Sequence, residues 1–109
     1  MSSGLTPYNL QAVPMTQRSI AFGSIGAGYT IVGSIFSAPV IELIIVSTLD
    51  QHVQLSLDGV NDFIPMVAGG LLIPDIKTNQ AVLPAWRAVY VKQLGVPTTG
   101  SLYVGGFTI

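Results

Sequence analysis

The chain has 109 residues, half of them hydrophobic, but only four Lys or Arg, five Asp or Glu, one histidine and no cysteine. At 8% charged residues, against about 25% in ordinary soluble domains, it has too little charge to wet a free-standing surface. The net charge of −1, with Arg18, Lys77, Arg87 and Lys92 dispersed along the chain, argues against a surface that tracks nucleic-acid phosphates, and the absence of cysteine excludes disulfides and thiolate metal sites.

The length suits one domain with one core. The start, Met1-Ser2-Ser3-Gly4, has no basic segment leading into an apolar one, so no secretory signal is expected. Residues 1–16 carry Pro7 and Pro14 and form no obvious strand; they are read as an extended N-terminal arm. Leu5, Tyr8, Leu10, Val13 and Met15 nevertheless place an apolar residue every two or three positions, which a purely disordered tail seldom does. The segment reads either as a frayed terminus or as an arm that docks on a neighbouring subunit, with Leu5, Tyr8, Leu10 and Val13 as interface candidates; docking could add a strand to a sheet edge between the two prolines.

From Ser19 to Ile41 there is no charge, a stretch long enough to cross a bilayer. Its five glycines and prolines, interleaved with Ser and Thr, break any apolar helix, so buried strands are predicted instead and no membrane partner. Gly23-Ser24-Ile25-Gly26-Ala27-Gly28 lacks the Gly-Lys-Ser/Thr of a phosphate loop and runs into strand-like Tyr29-Thr30-Ile31-Val32; it reads as a turn.

Predicted strands span 17–22, 29–36, 39–48, 52–58, 63–67, 71–77, 81–84, 87–94 and 101–108. Val40 to Val46 is apolar except for Glu42, the pattern of a central strand covered on both sides or of one whose outer face meets a neighbouring subunit. Val53, Leu55 and Leu57 alternate with His52, Gln54, Ser56 and Asp58, giving a strand with one wet face. Asp58-Gly59 and Asn61-Asp62 then read as a hairpin turn. Short strands without a helical period predict an all-β fold over residues 17–109: an antiparallel β-sandwich or small barrel, with a jelly-roll-like sandwich the favoured version.

No catalytic, metal or cofactor site is predicted. His52 follows Asp50, but Asp58, Asp62 and Asp75 supply no convergent ligand spacing, and a lone histidine without a nucleophile elbow makes no hydrolytic triad. Trp86, Tyr90 and Tyr103 are the remaining interface candidates. In Val89-Tyr90-Val91 and Leu102-Tyr103-Val104 both tyrosines face away from the flanking apolar residues. A hairpin through Pro97-Thr98-Thr99-Gly100 would make them cross-strand neighbours, able to cover a sheet face, meet a subunit or stack on a sugar.

The run Leu55-Ser56-Leu57-Asp58-Gly59-Val60-Asn61-Asp62-Phe63, then Ala68-Gly69-Gly70, Asp75, Leu83-Pro84, Val89-Tyr90-Val91-Lys92 and Gly100-Ser101-Leu102-Tyr103-Val104, resembles small all-β structural proteins of tailed bacteriophages. The resemblance is to the decoration, or cement, proteins of capsid exteriors and covers about half the chain. It implies a virion protein assembled in the host cytoplasm, bound to the major capsid protein or other virion subunits, commonly as a symmetric homo-oligomer, without catalysis or cofactor. Similar sandwiches occur at neck, tail and fibre positions.

Overall fold

Short β-branched runs between Gly and Pro turns pair into two antiparallel sheets in the computed structural model, which describes residues 13–74 and 87–108. In chain order the strands are β1 (Val13–Pro14), β2 (Arg18–Ala21), β3 (Thr30–Ile31), β4 (Val40–Ser47), β5 (Val53–Ser56), β6 (Ile64–Met66), β7 (Leu71–Leu72), β8 (Tyr90–Gln93) and β9 (Ser101–Thr108). Sheet A has the order β1-β9-β4-β7, with β2 on the same strand, β9; sheet B has the order β3-β8-β5-β6. A single 3-10 turn, Phe22–Ser24, lies between β2 and β3, and among the described residues no helix is long and apolar enough to cross a membrane.

The pairing runs from the outside of the sequence inward: β2 with β9, β3 with β8, β4 with β7 and β5 with β6. Successive rungs fall in sheet A, sheet B, sheet A and sheet B, as in one long antiparallel ribbon, closed by the β5–β6 hairpin and folded over itself. The β9–β4 and β8–β5 pairings join the rungs within each sheet.

Between the sheets lie Phe36, Leu43, Ile45, Val53, Leu55, Met66, Val91 and Leu102, all essentially inaccessible. Each such side chain contributes about 1.5–3 kcal/mol on leaving water, offset by backbone ordering of about 1–2 kcal/mol per residue. Strand β4 shows how register delivers them. Leu43, Ile45 and Ser47 face inward by simple alternation, and Val40 joins them only because the register shifts between Val40 and Glu42, leaving Ile41 as the extra residue of a bulge. Gly106 of β9 sits opposite, at φ 137°, with Glu42 O only 2.0 Å from where a Cβ would stand. No other residue allows the two strands to approach there.

Three expectations change. The arm does not extend through residue 16: Val13 and Pro14 pair with Thr108 and Phe107, Met15 donates its N–H to Gly106 O, and the Met15 side chain packs on the core. Proline is tolerated because β1 is an edge strand, where its missing N–H would face outward. Strand β4 is central, and among the described residues it is covered on one side, so cover on both sides is not seen there, while the alternative of an outer face that meets a neighbouring subunit stays open. Tyr90 and Tyr103 are not cross-strand neighbours, because 94–100 carries the chain from β8 in sheet B to β9 in sheet A instead of closing a hairpin. The β5–β6 hairpin lies where its turn residues place it. Residues 1–12, with Leu5, Tyr8 and Leu10, and residues 75–86, with Trp86 and the strand predicted at 81–84, lie outside the described residues.

Candidate functional site

The two outer faces of the sandwich are built differently. On sheet B, register puts Gln54 opposite Lys92 and Pro65, and Ser56 opposite Tyr90, so the outward row is polar and aromatic. The 57–63 loop folds back over it. The Tyr29 hydroxyl donates to Asp62, the Lys92 ammonium lies 3.4 Å from the same carboxylate and 4.7 Å from the centroid of the Tyr29 ring, and the Tyr90 ring lies against Gly59. Burial, then the bond to Asp62 and the charges of Asp62 and Asp58, push the Tyr29 hydroxyl up to about 12. The Tyr29 hydroxyl, with Lys92 beside it, holds the Asp62 carboxyl below its usual range. This loop is anchored from within by Asp58, which accepts from the N–H groups of Asn61 and Val60, the Asn61 side-chain amide and the Ser56 hydroxyl. Those donors, the Asn61 N–H foremost, hold Asp58 well below the usual carboxylate range.

Sheet A has no such dressing among the described residues. Its outward rows are Ser19–Tyr103–Val46–Leu71, Gly105–Ile44 and Pro14–Phe107–Glu42. Val46 and Leu71 are 37% and 63% exposed, Ile44, Tyr103 and Phe107 are half-buried, and Glu42 is the one charged side chain of these rows. The face continues across four strands with no loop folded over it among the described residues.

At the end of the sandwich where β2 begins, Pro14, Met15, Thr16, Arg18, Phe36, Ser37 and Thr108 line a pocket of about 210 Å³. Arg18 shares the inward phase of buried Ile20, an uncommon direction for a charge and one that edge strands use to discourage further pairing. Its guanidinium donates to Ser34 O at 3.0 Å, Thr16 O at 2.7 Å and Ile35 O at 3.1 Å, and stands 4.9 Å from the centroid of the buried Phe36 ring. Gly33 makes this possible: at φ 73° it packs on the Arg18 stem, 2.8 Å from Arg18 Cβ to where its own Cβ would lie, and so brings the next two carbonyls to the guanidinium.

Of the residues singled out in sequence, Val13 is 51% exposed at the outer edge of sheet A, Tyr103 is central on that sheet's outer face, and Tyr90 is on the outer face of sheet B. Both tyrosines face away from the core as their flanking residues require, but on opposite sides of the molecule. His52 is exposed, and its Nδ1 accepts the Ala68 N–H at 2.9 Å. Asp50, two residues away, faces a different loop, accepting from the hydroxyl and N–H of Thr98 and from the Thr99 N–H, which lower its pKa. Among the described residues no three His, Cys, Asp or Glu gather to hold a metal ion. Sequence reasoning missed the Tyr29–Asp62–Lys92 group, the Arg18 pocket and the exposed Leu71. The phase of Arg18 with Ile20 was the readable signal for the second; the first depends on a loop folding back and had none. Comparison of the chain with protein-family models, curated proteins and solved structures finds no match.

Proposed function

We propose that the chain is a non-enzymatic structural subunit of a bacteriophage virion, a jelly-roll sandwich that decorates and stabilises a capsid lattice through apolar subunit contacts. Its copies form a symmetric homo-oligomer, meeting through the outer face of sheet A, and residues 1–12 attach the oligomer to the major capsid protein or another virion subunit. The observation that carries this reading is the contrast between the two faces. One is wetted by polar side chains and the chain's own loop; the other presents Ile44, Val46, Leu71, Tyr103 and Phe107 with a single charge among the described residues. Contiguous apolar surface of this kind marks protein contact.

The jelly-roll reading is supported by the folded-ribbon pairing of β2–β5 with β9–β6, four rungs divided two and two between the sheets, the plan of a double-sheet roll common in capsid and lectin domains. Fold alone does not assign function, so the capsid role rests on the apolar face together with the sparse charge. A neck, tail or fibre sandwich that binds a glycan is the second reading, favoured by the aromatic and polar row around Tyr29 and Tyr90 on sheet B. Incubating purified protein with empty capsids and, separately, with immobilised host glycans tests both. Saturable capsid binding that survives excess glycan supports the first reading; glycan binding lost in Tyr90→Ala, with no capsid binding, would replace it with the second.

A further inference from the structure

The Arg18 pocket lies at the end of the sandwich, away from the central apolar rows of sheet A and from the polar face of sheet B. A guanidinium carries five N–H donors, and the carbonyls of Thr16, Ser34 and Ile35 take three. Among the described residues no acceptor takes the other two N–H groups and no carboxylate lies within ion-pair distance of Arg18. The side chain is nonetheless held: three backbone acceptors, the Gly33 contact and the Phe36 ring fix it in one place, so a ligand meets a pre-ordered donor and spends little on ordering it. Around it, Thr16, Ser37 and Thr108 add hydroxyls while Pro14, Met15 and Phe36 add apolar wall. At about 210 Å³ the pocket is smaller than the roughly 300–1,000 Å³ typical of drug-sized ligands; it suits one side chain.

We infer that this pocket receives a single carboxylate, the side chain of an acidic residue in a segment of another protein. The planar oxygen pair of a carboxylate matches the N–H groups that remain, and a polar wall beside an apolar one suits an acid on a short methylene stem. Phosphate is the weaker candidate: Arg18 is the one cation in the pocket lining, and one cation offers little to a dianion.

The test is an NMR titration of the folded full chain, following the Arg18 Nε–Hε resonance. The probes are an acetylated, amidated Gly-Glu-Gly tripeptide, its Gly-Gln-Gly counterpart and inorganic phosphate, all at matched ionic strength. Replacing Arg18 would strip three carbonyls of their donor, so the pocket is blocked through exposed Ser37, with Ser37→Leu, which leaves those bonds intact. The glutamate peptide should shift the resonance saturably, with about tenfold to hundredfold weaker binding for the glutamine peptide, the difference expected of a charge-assisted hydrogen bond. Ser37→Leu should lose the response at an unchanged melting temperature. Equal responses to both peptides, no response to either, tighter binding of phosphate, or full binding by Ser37→Leu would each overturn the assignment.

Discussion

Leu71→Ser is the sharpest test of the outer face of sheet A. Leu71 is 63% exposed and pairs with Val46, so its side chain stands on that face and contributes little to the core. Covering a whole leucine side chain is worth about 1.5–3 kcal/mol, so the exposed share amounts to about 1–2 kcal/mol per subunit if a neighbour covers it. A contact that uses the face of both partners loses about twice that, and at 1.4 kcal/mol per decade the dissociation constant rises roughly 30-fold to 1,000-fold. Sedimentation velocity over a concentration series reads this directly. Thermal unfolding of dilute monomer supplies the control, since an exposed substitution away from special features changes stability by about 0.5 kcal/mol or less. An unchanged distribution of species across the series would refute the assignment of this face to a contact between copies.

Deleting residues 2–12 should leave the sandwich folded, because strands β1–β9 pair with one another within residues 13–108, while weakening attachment to capsids in a co-sedimentation assay. Leu43→Ala, at a fully buried position on the central strand, should cost about 2–5 kcal/mol by chemical denaturation. The lowered Asp50, Asp58 and Asp62 contribute stability that is present above the ordinary carboxyl pKa of 3.8 and lost as pH falls through their folded-state values. Melting temperature should therefore drop below about pH 4, and Asp58→Asn should flatten that drop. Tyr29 works in the opposite sense: raised from 10.0 to about 12, it stabilises fully below pH 10.0, and that contribution disappears as pH rises towards 12. Tyr29→Phe should remove this alkaline component in a pH series of melting curves.

The architecture was legible where sequence periodicity and turn chemistry agreed. Alternation at 53–57 and the Asp58–Asp62 turn residues located the β5–β6 hairpin because both signals are local. Strand β4 shows the limit. Its inward and outward residues are nearly all apolar, so the period-2 signal vanishes, and the bulge at Ile41 shifts the phase again; only the register with β9 separates buried Leu43 and Ile45 from outward Ile44 and Val46. The 94–100 segment failed for a related reason. Pro97, Gly100 and the intervening threonines mark a reversal equally well whether the next strand joins the same sheet or the opposite one, and what secures the crossing is Asp50, nearly fifty residues upstream in the chain.

The same distinction explains the functional surfaces. Tyr90 and Tyr103 were placed outward by their own neighbours in sequence, a local inference, yet which sheet each occupies is a question of topology. For Arg18 the inward phase was visible two residues from Ile20, but the acceptors that hold it are backbone carbonyls, which every residue carries and no sequence motif announces. A charged side chain on a core-facing phase therefore had two opposite meanings, an error in the strand assignment or a cation held by main chain. The deciding residue was Gly33: with any side chain there, the Ser34 and Ile35 carbonyls would be pushed off the guanidinium. Gly33→Ala should accordingly release Arg18, seen as loss of protection of its Nε–H from solvent exchange. Retained protection in a folded Gly33→Ala protein would mean that Thr16 and Phe36 suffice to hold the side chain, and that the Ser34 and Ile35 carbonyls are dispensable to its order.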